Sequence, residues 1–184
     1  MPSALLGLKK PTPSKLLTSN ATRGAAAPHN AREGIDMTNS NFTYNDGGRA
    51  ASGRKGSAGD CVCRAVAIAA ELPYDEVYAR LANGNATQRQ SKHTKKGERS
   101  ARNGIDTTRK WFKDYMVELG FKWTPTMSIG SGCKVHLRSD ELPSGRLVCN
   151  VSRHQVAVVD GVVHDDHDCT RSGTRCVYGY WAKA

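Results

Sequence analysis

Long apolar runs are missing from this chain, so no segment of it is expected to span a membrane as a helix. The N-terminus, MPSALLGLKKPTPSKLL, has no continuous apolar stretch followed by a small-residue cleavage site, and no secretory signal peptide is expected. The six cysteines include no CxxC pair, which disfavours the usual spacing of a structural zinc site. Without a signal peptide they point to reduced thiols in a cytoplasm, not to a disulfide framework. A phosphate-binding loop is absent as well. Gly130-Ser131-Gly132-Cys133-Lys134 has the residue types of one but neither its length nor its following helix. Aromatics are scarce at 7% and hydrophobic residues reach only 38%, so part of the 184 residues is expected to lie outside any packed core.

What the chain does have is positive charge, with a formal net charge of +10. Such a balance suits an acidic partner, nucleic acid above all. Much of the excess sits in the first 33 residues and between Arg89 and Arg109, apart from the expected body of the protein. Residues 1–40 hold four of the seven prolines among Ser, Thr, Asn and Ala, and read as a disordered extension in which Met37 offers a second candidate start. Residues 41–184 read as one domain, interrupted at about 85–104 by a mobile basic loop. That loop has no aromatic side chain on which a base could stack, so a solvated face is favoured over nucleic-acid contact.

The pattern of the body is helices first, strands afterwards, which specifies an α+β fold with N-terminal helices packed on an antiparallel sheet. Phe42–Tyr44 suggests a short strand before the turn Asn45-Asp46-Gly47-Gly48, and Arg49–Gly59 a flexible approach to Cys61. Helices are expected from Cys61 to about Glu71, from Pro73 to a stop at Asn83-Gly84-Asn85, and from Thr107 to Leu119. Strands are expected at Phe121–Thr124, Arg146–Val151 and Val177–Trp181. Asp160-Gly161, between two β-branched runs, marks a tight hairpin.

Two stretches carry candidate chemistry. Asp60 precedes an Ala- and aliphatic-rich run and is placed to cap a helix with its carboxylate, which makes Cys61 the first helical residue. The free N–H groups and the dipole of a helix start favour a thiolate there. Cys63, about 200° further round the axis, is expected to pack instead. In the hairpin, pairing outward from Asp160-Gly161 sets Val156 opposite Asp165. His154, Asp165 and His167 then share one face, while His164 and Asp166 point away. Asp165 is the diagonal neighbour of His154, close enough to fix its tautomer and leave the other nitrogen for a thiol proton. A register slip of one residue would substitute Asp166.

A Cys opening an early helix, a His opening a later strand, and an Asp on the adjoining strand together resemble the papain-like cysteine peptidase fold, in particular its compact bacterial and phage versions. The segments GDCVCRAVAIA, WTPTMSIGSGCKVHLRSDELPSGRLVCNVSRHQVAVVDGVVHDDHDC and RCVYGYW also resemble a widespread group of phage and bacterial proteins. The papain-like resemblance implies Cys61 as nucleophile, His154 as general base and then acid, Asp165 as orienter, and the Cys61 N–H as one oxyanion donor. It implies no cofactor and no metal. The implied activity is that of a thiol-dependent hydrolase on a peptide or other amide substrate. Many papain-like enzymes place a Gln just ahead of the Cys as a second oxyanion donor; Arg54–Gly59 contains none, and Asn45 is a substitute from further upstream. A zinc cluster from His164, His167, Cys169 and Cys176, or less well from Cys133, Cys149 and His136, is a weaker rival. A Cys169–Cys176 disulfide would require an oxidising compartment. The remaining rival is a non-enzymatic accessory protein on the same fold, binding nucleic acid or a host partner.

Overall fold

The first helix, α1 (Cys61–Ala70), is apolar on nearly every side. That composition suits only a helix enclosed by other elements, and Val62, Cys63, Val66 and Ala69 are all buried. A computed structural model describes residues 41–87 and 100–184. The expected N-terminal extension, residues 1–40, and residues 88–99 of the expected basic loop lie outside the described residues. No helix among those described is long and apolar enough to cross a membrane.

The strands are β1 (Phe42–Tyr44), β2 (Phe121–Pro125), β3 (Arg146–Val151), β4 (His154–Val159), β5 (Val162–Asp165) and β6 (Val177–Lys183), in one sheet of order β1-β5-β4-β3-β6-β2. The fold is α+β, and the sheet is mostly antiparallel. The exception is β1, which runs parallel to β5 with Phe42 opposite Val163. It can do so because three helices and the strands β2, β3 and β4 separate the two strands in sequence, room enough for the crossover that parallel strands need.

The central strands β3 and β4 are buried on both faces. On one face α1 packs with Val148, Ala157 and Trp181. On the other, Leu147, Val156, Val158 and Val163 meet Leu137 and Cys169 from the loops. Arg146 ties the end of α1 to the sheet, donating to the Ile68 carbonyl at 3.0 Å and pairing with Glu71 at 2.6 Å. Cations favour this end of a helix. The hairpin forms in the expected register, with Val159 opposite Val162 and Val158 opposite Val163. Asp160 and Gly161 have φ values of 48° and 80°, the left-handed pair that a two-residue turn requires.

Four local expectations are corrected. The second helix, α2 (Tyr74–Ala86), does not stop at Asn83-Gly84-Asn85 but runs through Gly84, because the Trp111 indole of α3 (Lys110–Glu118) lies on that glycine. A Cβ at Gly84 would come within 2.2 Å of the rigid indole. Gly84→Ala is therefore expected to lower stability in urea denaturation, with an overpacking cost of about 1–3 kcal/mol outweighing the roughly 1 kcal/mol that Ala gains over Gly in a helix. The approach Arg49–Gly59 is not loose: Arg49 donates to the carbonyls of Arg54 and Lys55 and gathers it into turns. The C-terminal end of the expected mobile loop is anchored too, since Asn103 bridges to Gly59 and Ala101 is fully buried. Finally, the cysteines are not all reduced. Cys133 is disulfide-bonded to Cys176. Their segments pair antiparallel through His136 and Cys176, with Leu137 donating to Arg175 and Val177 to Val135, which brings the two Cα atoms to 5.7 Å. That spacing lies within the range a disulfide needs.

Candidate active site

Asp60 holds the N-cap position of α1, but its side chain caps nothing. The carboxylate is 1% exposed and turns inward, where it accepts from Arg49 Nε at 2.8 Å, from the Tyr74 hydroxyl at 2.5 Å, and from Arg64 Nη1. The expectation of a side-chain cap is thus corrected: two guanidiniums, that of Arg64 buried and that of Arg49 partly so, attract the carboxylate more strongly than neutral N–H groups do. As a result, the first-turn N–H groups of α1, that of Cys61 included, receive no side-chain cap at the mouth of the helix.

Arg64, 5% exposed, carries this network across to the sheet. Its Nη2 lies 3.3 Å from Asp165 Oδ1 and 3.1 Å from Asp166 Oδ1. Asp165 also accepts from the Asp166 backbone N–H at 2.8 Å, and its Oδ2 stands 2.5 Å from His154 Nε2. The structure thus puts Asp165 on His154, as the hairpin register anticipates, while Asp166 sits with Arg64 and with His167. His154 opens β4, and its side chain shares a cavity wall with Cys61. Because Nε2 is engaged by Asp165, the imidazole edge left for sulfur is Nδ1.

Burial pushes the Cys61 thiol up. The His154 hydrogen bond, the Gln155 backbone N–H and the charges of His154 and Arg64 outweigh it, so the net shift is downward. Burial likewise pulls His154 down, but its hydrogen bonds to Asp165, Cys169 and Cys61 prevail and hold its proton well above the ordinary imidazole range. For Asp165 burial is outweighed by His154 and the carboxyl is held low. Thiolate and imidazolium are therefore the matched states. Cys63 shows the contrast. It is fully buried two residues away, and desolvation pushes its thiol up to about 12.

A cavity of about 260 Å³ opens beside the sulfur, lined by Cys61, Ile105, Thr107, Asn150, His154 and Gln155 among others. Asn45 is not part of it. Its amide meets His164 Nδ1 at 3.4 Å, away from Cys61. The zinc set from His164, His167, Cys169 and Cys176 is not assembled either, since His164 points to the α1 side of the sheet and Cys176 is disulfide-bonded. A different trio, His154, Asp165 and His167, brings three potential ligand atoms within 4.8 Å of one another, but two of the three belong to the thiol–imidazole–carboxylate chain.

No family model, curated protein or solved structure matches the chain.

Several residues of the site go unnoticed in the sequence. Arg64 has a visible signal, a lone cation inside an otherwise apolar helix, four residues after Asp60 and so on the same helical face. Arg49 and Tyr74 have none, because their meeting at Asp60 depends on the path of the intervening loop.

Proposed function

We propose that this protein is a thiol-dependent hydrolase of the papain-like cysteine peptidase type, acting on an amide or isopeptide bond. The observation that carries the reading is that Cys61 and His154 line one cavity, with Asp165 Oδ2 standing 2.5 Å from His154 Nε2. In this mechanism the Cys61 thiolate attacks the substrate carbonyl carbon, forming a C–S bond and an oxyanion. The Cys61 backbone N–H, left uncapped by Asp60, is placed to receive that charge. His154 then passes its proton to the leaving nitrogen as the C–N bond breaks, and a thioester remains on Cys61. Water next gives a proton to His154 and adds to the thioester carbon. The C–S bond breaks, releasing the carboxylic acid and restoring the thiolate–imidazolium pair. Asp165 holds the ring in place throughout and, with Arg64 behind it, keeps its own charge.

Iodoacetamide labelling of the native protein across pH tests the reading. Cys61 is expected to be alkylated ahead of Cys63, Cys149 and Cys169, with an apparent pKa below the roughly 8.5 of a free thiol. Even labelling of several cysteines, each with an ordinary pH dependence, would return the protein to the non-enzymatic alternative.

A further inference from the structure

Gln155 follows His154 on β4. Its side chain is 4% exposed, and its Oε1 is buried with no hydrogen-bond partner. Buried polar atoms are rarely left unpaired in folded proteins, and an orphan acceptor on the wall of a cavity points to a donor that arrives with a ligand. Gln155 lines the cavity beside Cys61 and also a second cavity of about 230 Å³. Asn150, its register partner across β3, lines both as well, as does Thr107. The two cavities therefore share a wall of two carboxamides and a hydroxyl, and form one groove that starts at the sulfur.

At the far end of that groove stand Trp123 and Trp181, opposite one another on β2 and β6, with ring centroids 5.3 Å apart. Trp181 is buried against Phe112, whereas Trp123, on the edge strand, remains 37% exposed. Trp123 lies flat because position 179 is glycine; a Cβ there would come within 2.3 Å of the indole. Lys113 stands at the same cavity. Two aromatic faces favour a planar apolar group, and the ammonium disfavours a cationic one.

We propose that this groove binds a peptide substrate through an aromatic side chain held against Trp123 and Trp181, with a backbone N–H of that substrate donating to Gln155 Oε1. The inference rests on the hydrolase reading only for placing the scissile bond at Cys61. The binding itself does not need it. A peptide strand passing the end of β3 and β4 would satisfy the orphan oxygen, lay its aromatic residue against the exposed Trp123 indole beside Trp181, and leave an adjoining carbonyl at the sulfur.

Peptidyl chloromethyl ketones carrying Phe or Ala beside the reactive carbon test this. The Cys61 sulfur displaces chloride, forming a C–S bond, and each rate is divided by that of iodoacetamide to remove the intrinsic reactivity of the thiol. The Phe probe is expected to react about tenfold faster than the Ala probe, the size of an aromatic stacking gain. That ratio should fall towards one in Trp123→Ala, and in Gln155→Ala both peptidyl probes should slow relative to iodoacetamide. Equal Phe and Ala rates in the unaltered protein would overturn the groove while leaving the hydrolase reading intact. If iodoacetamide does not favour Cys61, the hydrolase reading fails, and the groove is judged by tryptophan fluorescence of the Cys61→Ser protein. N-acetyl-phenylalanine methylamide must then change the emission saturably, N-acetyl-alanine methylamide must not, and Trp123→Phe must abolish the change. The absence of a Phe-specific change overturns the groove.

Discussion

Replacing Asp60 with Ala is expected to destabilise the protein by about 3–5 kcal/mol, the cost of removing one member of a buried ion cluster. The carboxylate is almost wholly enclosed and meets two guanidiniums and a phenol. Without it, Arg64 keeps only its contacts with Asp165 and Asp166, and its Nε already lacks a partner. Arg49 keeps only two backbone carbonyls, at 3.4 and 3.3 Å. A buried and a partly buried cation would then face each other where one anion now stands between them. An ordinary N-cap is worth about 1 kcal/mol, so the size of the effect separates the two roles. Urea denaturation with an unchanged m-value should show a large fall in midpoint for Asp60→Ala. A loss of only about 1 kcal/mol would mean that the carboxylate acts as a cap and that the ion cluster contributes little.

The same cluster marks where the sequence stops being informative. Cys61, His154 and Asp165 can be read from local rules because each depends on a short-range pattern. The first depends on a Gly-rich run ending at an Asp, the other two on a period-2 count outward from a two-residue turn. Once Asp160 and Gly161 adopt left-handed φ values, the positions of His154 and Asp165 are set by strand geometry. Asp60 illustrates the opposite case. Its neighbours in sequence predict a cap, but its neighbours in space, Arg49 from a turn and Tyr74 from the next helix, draw its side chain the other way.

Other features fail to show for the same reason. Gly84 looks like a helix terminator until Trp111 arrives from a helix more than twenty residues on and occupies the space a side chain would need. Cys133 and Cys176 become neighbours only because two loops pair across the outer face of the sheet. The parallel pairing of β1 is equally invisible, since a three-residue strand carries no record of its partner's direction. The alternation that made the strands legible also concealed Gln155. A polar residue within a strand is ordinarily taken as solvent-facing, whereas this one faces α1 and lines a groove.

If the proposed hydrolase activity is present, His154→Ala is expected to reduce turnover of a susceptible amide by about 10²–10⁴-fold, the usual contribution of a positioned acid–base group, and to shift the pH dependence of the thiol. In the intact protein the imidazolium provides the hydrogen bond and much of the charge that hold Cys61 low, while burial opposes them. Removing His154 leaves burial as the largest remaining influence, with Arg64 and the Gln155 N–H against it. The pH at which Cys61 begins to react with iodoacetamide should therefore rise to or above the roughly 8.5 of a free thiol. The alkaline side moves in the opposite sense. While His154 is present, its proton is held well above the ordinary imidazole range, so the proton needed by the leaving nitrogen survives at neutral and mildly alkaline pH. Without it, no general acid remains at the sulfur, and turnover stays low even where the thiolate is fully formed. This separates a catalytic role from a structural one. If circular dichroism shows the variant folded, a purely structural histidine would leave the Cys61 titration in place and lower all rates evenly. The paired thiolate–imidazolium requires an upward shift in the reactivity of Cys61 together with a loss of turnover that higher pH does not restore. An unshifted Cys61 titration in the folded variant would remove the basis for calling Cys61 an activated nucleophile.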